Sequence, residues 1–523
     1  MSKVKTAGEA VALIPDNAVV AVSSSSGLGC PDAVLAALGA RFEATGSPRD
    51  LTSVHPIAAG DMFGTKGVDH IARPGCLKKI IGGSYPSGPT KADPPLIWQM
   101  IARNEVAAYN VPSGIVFDML REGAGKRPGV LTKVGMDTFV DPDQDGCAMN
   151  DAARAEPIVR HETFDGEDWL YFKALQPDVA IIRATTSDQR GNLSFESEGA
   201  YLGAMEMALA AHNSGGFVIA QVRRVARNGS IRPHDVHVPG ILVDHVVEAP
   251  DMLQTTGTPY DPAISGELIR PLDSFHLMEF GVQKVIARRV AQEIRNGWAV
   301  NIGFGVSANV PRIFLEEDQH GKATWVIEQG AVGGIPLLDF KFGCSANAEA
   351  FVTSPHQFAY FQAGGFDCSL LSFLEIGADG SVNVSRLAAT PHRTAGAGGF
   401  VDITARAKRI VFSGTFNAGA KMRVEDGRIV IDKEGHTAKI VPKVDHVSFS
   451  GKRALVQGQK AKYITERCVI ELREDGLTVT EIAPGLDPER DVLGQSATPL
   501  RVSPDLREMD AALFRPEPFG LSL

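Results

Sequence analysis

The sequence lacks paired cysteines, a long apolar run and an excess of positive charge. Its six cysteines are scattered along 523 residues without a C-x-x-C pair: Cys30, Cys76, Cys147, Cys344, Cys368 and Cys468. This scatter argues against a zinc site and is typical of reduced thiols in a cytoplasmic protein. We therefore expect a cytoplasmic protein without a structural metal.

Charge and hydropathy exclude two further classes of protein. The net charge of -10 argues against a nucleic-acid-binding surface, which needs clustered basic residues. No apolar run approaches the ~20 residues of a membrane span. The N-terminal stretch "MSKVKTAGEAVALIPDN" is expected to begin a helix rather than a signal peptide. Neither a Walker loop nor a G-x-S-x-G elbow is present.

The sequence does contain a repeated strand–turn–helix rhythm. In "AVVAVSSSSGLGCPDAVLAALGARF" we predict a strand at Ala18 to Val22, a loop at Ser23 to Gly29 and a helix from Pro31 to Phe42. A buried strand is predicted at Val179 to Ala184. Such alternation indicates α/β domains with mostly parallel sheets.

The two halves of the chain resemble each other. "DNAVVAVSSSSGLGCPDAVL" is similar to "NGWAVNIGFGVSANVPRIFL", and "PDVAIIRATTSDQRGNLSF" to "FDCSLLSFLEIGADGSVNVS". We therefore predict two related α/β domains, residues 1–247 and 276–523, joined by a polar, proline-rich linker at 248–275. An amphipathic helix is predicted from about Met278, and the tail from Asp487 is expected to wrap over the second domain.

The stretch "TWVIEQGAVGGIPLLDF" contains a single acid, Glu328, between an apolar run and a glycine-rich loop. A carboxylate is ionised near neutral pH and can attack an activated acyl group directly, provided that backbone N–H groups stabilise the oxyanion. Alternatively, Glu328 hydrogen-bonds its own loop at the end of the strand. From the local sequence, both readings stay open.

Two other glycine-rich segments allow a ligand close to the backbone. "TAGAGGFVDI" has three glycines before what we predict to be an apolar strand, and it is either a binding loop or a flexible hairpin. "SSSSGLG", Ser23 to Gly29, either cradles a phosphate or carboxylate at the following helix or is a plain turn.

Histidines are candidate metal ligands, but their context favours structural roles. "RPHDVHVPGILVDH" holds His234, His237 and His245 in a run that we predict to be a β-strand, without an accompanying cysteine. "SPHQFAY" and "TPHRT" add His356 and His392 singly. We predict no metal site.

Several segments, in order along nearly the whole chain, resemble family I CoA-transferases of the single-chain acetate or propionate type. They are "AVVAVSSSSGLGCPDAVL", "EVAAYNVPSGIVFDMLREGAGKRPGVLTKVGMDTFVDP", "VPGILVD", "VIEQGAVGGIP", "GAGGFVDI", "GQKAKYITERCVIEL" and "TEIAPGLDPERDVL". The resemblance implies two open α/β domains of the NagB/RpiA-like, CoA-transferase type. It also implies a homodimer or homotetramer.

The resemblance further implies a ping-pong reaction between an acyl-CoA and a small carboxylic acid. Glu328 would be the nucleophile that forms a glutamyl-CoA thioester. The backbone of Gly398 would be an oxyanion donor, and Gly396, Gly398 and Gly399 would line the thioester end of CoA. No permanently bound cofactor is implied, because the CoA thioester is a substrate.

The sequence departs from the family pattern at Ser113, which stands in "VPSG" where the family has an oxyanion-hole glutamine. Three consequences are open. Ser113 or an ordered water donates the hydrogen bond to the oxyanion instead, the pocket is enlarged for a bulkier acyl group, or the CoA-transferase activity is weak. Two alternatives to the transferase therefore remain: an acyl-CoA hydrolase, acting on a thioester or a C–C bond, and a CoA-binding protein without turnover.

Overall fold

A computed structural model describes residues 3–86, 94–389 and 395–523. Strands and helices alternate along its first half, as predicted. The strands are β1 Val4–Lys5, β2 Val19–Val22, β3 Leu51–His55, β4 Leu77–Gly82, β5 Ala107–Asn110, β6 Gly129–Thr132, β7 Val159–Phe164, β8 Glu167–Lys173, β9 Val179–Asp188, β10 Leu193–Ser194, β11 Phe217–Ala226 and β12 His245–Glu248. The helices are α1 Ala7–Val11, α2 Asp32–Thr45, α3 Leu96–Ala102, α4 Ser113–Ala124, α5 Asp151–Arg154 and α6 Ala204–Asn213.

The first sheet is built around fully buried parallel strands. Its order is β1-β12-β11-β9-β2-β3-β4-β5, with β10 antiparallel to β9. All ten residues of β9 are buried, as expected for a central strand that is covered on both faces. Strands β6, β8 and β7 form a small antiparallel sheet beside it.

The second half repeats this architecture with a longer sheet. Its strands are β13 Ala299–Ile302, β14 Thr324–Val326, β15 Ala331–Val332, β16 Ile335–Pro336, β17 Ser345–Ala346, β18 Ala350–Phe351, β19 Cys368–Ser372, β20 Glu375–Gly377, β21 Val382–Asn383, β22 Arg409–Ser413, β23 Asn417–Ala418, β24 Lys421–Glu425, β25 Arg428–Lys433, β26 Thr437–Ala438, β27 Ile440–Val441, β28 Lys460–Ile464, β29 Cys468–Arg473, β30 Gly476–Ile482 and β31 Arg501–Glu508. The helices are α7 Val282–Ala291, α8 Val310–Glu316, α9 Ser354–Gln362, α10 Phe400–Thr404 and α11 Gly451–Val456.

The second sheet has a parallel centre and antiparallel margins. Its order is β18-β15-β14-β13-β19-β22-β28-β29-β30-β31, and the pairs from β14 to β28 are parallel. The predicted similarity of the halves is visible in one hairpin of each half. In the first half β9 pairs with β10 as an antiparallel hairpin, and in the second half β20 pairs with β21 in the same way. The C-terminal tail adds β31 to this sheet beside β30.

Two predicted strands are wrong. The apolar residues after the glycines, Phe400–Thr404, form the helix α10, whose five residues are all buried. The histidine-containing segment from Arg232 consists of single turns at Pro233–Asp235 and Gly240–Leu242, and a strand begins only at His245. A short buried apolar run does not distinguish helix from strand, so packing decides.

The two halves share a core along a seam. One apolar cluster contains residues of both halves, including Phe117 and Phe358, whose ring centroids are 5.9 Å apart. Backbone hydrogen bonds cross the seam from Ser354 to Leu202 and from Phe139 to Val447. The division at 247 and 275 stays a prediction.

Two further findings concern the whole chain. The six cysteines are unpaired and buried in the described structure. Within the described ranges, no helix combines the length and the apolar character that crossing a membrane requires.

Candidate active site

Glu328 lies just beyond the C-terminal end of β14, in a tight turn. The N–H of Gly330 donates to the Ile327 carbonyl at 3.0 Å, and the N–H of Ile327 donates to Ala331 at 3.0 Å. Gly330 has φ +117°, and a side chain there would overlap the carbonyl of Val352. The glycine therefore permits the turn that directs Glu328 away from the strand.

Glu328 is half-buried, and its carboxylate receives two hydrogen bonds. The Nε2 of Gln329 donates to its Oε1 at 3.2 Å, and the backbone N–H of Gly399 donates to the carboxylate as well. Loss of water around the group raises the pKa of Glu328 to about 7, although both donors act to lower it. At neutral pH, Glu328 is therefore available both as an ionised nucleophile and as a protonated acid.

The predicted glycine segment packs directly against Glu328. A Cβ on Gly399 would clash with Oε2 of Glu328, and a Cβ on Gly398 would lie 3.9 Å from Oε1. Gly396 has φ +77°, and a Cβ there would lie 2.8 Å from Asn110 Nδ2. These glycines thus allow Glu328 and the first half to approach the backbone closely.

The predicted oxyanion donor Gly398 has its N–H engaged. It donates to the Gly83 carbonyl at 2.8 Å, while the Gly398 carbonyl accepts the Ser113 N–H at 3.1 Å. The donor that reaches the carboxylate is the neighbouring Gly399. To act as an oxyanion donor, the Gly398 N–H would have to release the Gly83 carbonyl and donate to the substrate oxygen instead.

Ser113 is the first residue of α4 and is fully buried at the seam. Its Oγ has no hydrogen-bond partner among the described residues. The hydroxyl lies against Gly83, where an added Cβ would approach it to 2.5 Å. A buried hydroxyl without a partner is costly, and Ser113 therefore offers an unused donor at the seam.

Asp402 is a second buried carboxylate that the sequence reasoning missed. It accepts the Gly114 N–H and the Gln362 Nε2, each at 2.9 Å. Burial raises its pKa to about 7, and the carboxylates of Asp118 and Glu328 act in the same direction. The signal was a lone acid inside the apolar part of "GAGGFVDI".

Three other polar residues at the seam were missed. Asn110 accepts the Ala397 N–H at 2.9 Å and donates to Gly83 at 2.5 Å, so it holds the glycine segment to the first half. Gln329 donates to Ser25 of the "SSSSGLG" loop at 3.0 Å. All three stand in segments that the sequence analysis quoted, but only the fold brings them together.

The histidine candidates lie apart from these contacts. His237 stacks on Tyr201 with centroids 4.1 Å apart, His245 meets the edge of Phe217, and His356 hydrogen-bonds Thr353. His392 lies outside the described residues. These contacts are structural, as the sequence favoured.

One group in the described part of the chain has the spacing of metal ligands. The ligand atoms of Asp141, Asp143 and His161 lie within 4.8 Å of one another. The Asp141 carboxylate already accepts the N–H groups of Asp137 and Asp143. The Asp141 carboxylate is thus already used as an acceptor within its own loop.

Comparison with known proteins identifies the class to which this fold belongs. A family model described as Coenzyme A transferase matches residues 4–249. Caffeate CoA-transferase of Acetobacterium woodii is 38% identical, over 100% of this chain and 99% of that protein. The chain therefore belongs to the CoA-transferase family.

Further relatives agree along the whole length. Acetate CoA-transferase YdiF of Escherichia coli K12 is 36% identical, over 99% of this chain and 96% of that protein. The crystal structure of the YdiF apoenzyme from E. coli O157:H7 superposes with a TM-score of 0.91 at 35% identity, covering 100% of this chain and 98% of that one. YdiF is also known as a thioester complex with CoA, again with a TM-score of 0.91. The predicted α/β fold class and the enzyme class are confirmed.

Proposed function

We propose that the protein moves CoA between a short-chain acyl-CoA and a carboxylic acid by a ping-pong reaction through Glu328. The observation that carries this proposal is the position of Glu328 at the seam, partly exposed and held by two donors. A carboxylate that is ionised without a partner base can attack a thioester directly.

The reaction balances without a metal or a net proton. Glu328 attacks the acyl carbon and releases the CoA thiolate, which leaves an acyl-glutamyl anhydride. The thiolate then attacks the glutamyl carbon, and the acyl group departs as a carboxylate that carries one oxygen of Glu328. The acceptor acid reverses both steps and restores Glu328. Contacts to the remote part of CoA can contribute to these transition states.

Ser113 is the proposed side-chain donor to the thioester oxygen, with backbone help from Gly398. Its buried hydroxyl has no other partner in the described chain, which supports this role. Gly396, Gly398 and Gly399 are proposed to line the thioester end of CoA. The close packing of Gly399 on Glu328 supports that assignment.

An assay with paired substrates tests the function. Acetyl-, propionyl- and succinyl-CoA are each mixed with acetate, propionate or caffeate, the last because a relative is a caffeate CoA-transferase. We expect a new acyl-CoA for at least one pair and none with Glu328→Ala. Glu349→Gln, an exposed acid next to the same loop, is the matched control and should retain activity. Binding of acyl-CoA without any product would indicate the non-catalytic alternative.

An acyl-CoA hydrolase is a second candidate because the pKa of Glu328 is raised. A carboxylate with a pKa of about 7 is suited to act as a general base on water. Ser113 in place of glutamine is the sequence feature that favours it. A hydrolase would consume the thioester with no acceptor acid present, whereas a transferase would stop after one equivalent per site.

The state and location of the enzyme belong to the same proposal. We propose a homodimer or homotetramer on the resemblance to the family, and light scattering of the pure protein tests this.

We propose a cytoplasmic location, which the unpaired, buried cysteines support.

A further inference from the structure

The side chain of Gln329 joins the nucleophile to the first half of the chain. Its Nε2 donates to Ser25 Oγ at 3.0 Å and to Glu328 Oε1 at 3.2 Å. Gln329 is 3% exposed, and Gly343 packs against its amide, where a Cβ would approach Cδ to 2.9 Å. Both N–H groups of the amide are thus directed at oxygens, and the side chain has little freedom to turn.

The two oxygens of Glu328 have different fates in the proposed reaction. One attacks the acyl carbon and leaves with the released carboxylate. The other stays as the carbonyl oxygen of the anhydride and then of the thioester. When the thiolate attacks the glutamyl carbon, the π electron pair moves onto this retained oxygen, and the same charge forms again when the acceptor carboxylate attacks.

The surroundings distinguish the two oxygens. Oε2 is the closer of the two to the glycine segment that is proposed to line the thioester end of CoA, because a Cβ on Gly399 would clash with it, whereas a Cβ on Gly398 would lie 3.9 Å from Oε1. Oε1 faces the Gln329 amide. Oε2 is therefore the oxygen placed for attack, and Oε1 is the oxygen that is retained.

We propose that Gln329 is a catalytic residue whose Nε2–H stabilises the oxyanion on the retained oxygen of Glu328, with Ser25 fixing the amide. This inference rests on the proposed role of Glu328 as the nucleophile. Ser113 would then stabilise the oxyanion on the thioester oxygen of the substrate, and Gln329 would stabilise the oxyanion on the retained oxygen of Glu328. Such a donor acts mainly in the transition state, where charge develops on the oxygen that it holds.

The test is rapid-quench peptide mass spectrometry of the Glu328 adduct formed from acetyl-CoA, over a range of pH. Gln329→Met keeps the length of the side chain but has no donor. We expect glutamyl-CoA to form about 10²-fold more slowly, with the KM for acetyl-CoA changed less than about threefold. The pH of half-maximal labelling should rise, because the lost hydrogen bond favours the ionised carboxylate.

Ser25→Ala should slow labelling in the same direction by a smaller factor, because the amide keeps its bond to Glu328. Gln221→Met, at a buried glutamine of the first half that hydrogen-bonds Ala33 and Val34, is the matched control and should label at the wild-type rate. Should Gln329→Met not fold, Gln329→Ala removes the donor without placing a second acid beside Glu328 and is expected to be slow as well.

The outcomes separate the two claims. If wild-type protein forms no adduct, the role of Glu328 and this inference both fail. If wild type is labelled and the Gln329 variant is labelled at the same rate and pH midpoint, only the inference is overturned. A raised KM with an unchanged labelling rate at saturation would also overturn it, because it would assign Gln329 to binding.

Discussion

At the residue scale, the proposed site contains side-chain atoms that have no hydrogen-bond partner among the described residues. Ser113 Oγ, in particular, is buried with no partner in the described structure. If it donates to the thioester oxygen, Ser113→Ala should lower the rate of Glu328 labelling by about 10–10²-fold. The free energy of unfolding should change little, because no hydrogen bond of the unliganded protein is lost.

Ser53 offers a matched control for that prediction. It is a buried serine on β3 whose Oγ also finds no partner among the described atoms. Ser53→Ala should leave both labelling and stability unchanged. Equal labelling rates for Ser113→Ala and wild type would remove Ser113 from the mechanism.

The sequence identified Glu328 as an unusual carboxylate, but it could not identify the partners of Glu328. Gln329 follows Glu328 directly, yet its role depends on Ser25, which is about three hundred positions away in the chain. The resemblance also implied Gly398 as a donor, while the structure directs the Gly399 N–H at the carboxylate. The direction in which an individual backbone N–H group points depends on backbone torsion angles, which no sequence pattern specifies.

At the element scale, Asp402 joins two helices from different halves. It lies on α10 and accepts the N–H of Gly114 in the first turn of α4. Asp402→Ala would leave that N–H and the Gln362 amide without an acceptor. We expect a loss of about 2–4 kcal/mol in the free energy of unfolding, measured by urea denaturation.

The pH dependence of this contact has a definite sign. The pKa of Asp402 is raised to about 7, so the folded state binds its proton more tightly than the unfolded state. Its contribution to stability is therefore largest below the ordinary aspartate pKa and declines as pH rises toward about 7. Asp402→Asn should thus be less destabilising, relative to wild type, at pH 8 than at pH 5. A destabilisation that grows with pH would contradict the raised pKa.

Strongly periodic elements were predictable, and short buried ones were not. The helix predicted from Pro31 and the strand predicted from Val179 are present as α2 and β9. Helix α10 was predicted as a strand because Phe400, Val401 and Ile403 are good strand formers. Packing on all sides of this five-residue helix overrides that preference.

At the scale of the whole molecule, the proposed active site forms only where the two halves meet. Glu328 and the glycine segment come from the second half, whereas Ser113, Asn110 and Ser25 come from the first. The apolar cluster that spans the seam should hold the halves together without a covalent connection.

A nicked protein tests this expectation and the proposed linker. A protease site can be introduced at Ile269, which is 83% exposed within the segment 248–275. After cleavage, we expect the two pieces to elute together in gel filtration and to retain labelling of Glu328. Separation of the pieces without denaturant would mean that the connection, and not the seam, maintains the site.

The most direct test of the account is peptide mass spectrometry of pure protein incubated with acetyl-, propionyl- or succinyl-CoA and no acceptor. We expect CoA to be attached to the peptide that contains Glu328, at a rate that rises with pH through about 7 as the carboxylate ionises. The adduct should be absent in Glu328→Ala and present in Glu349→Gln. Measurable acyl-CoA binding without any adduct would contradict covalent catalysis by Glu328.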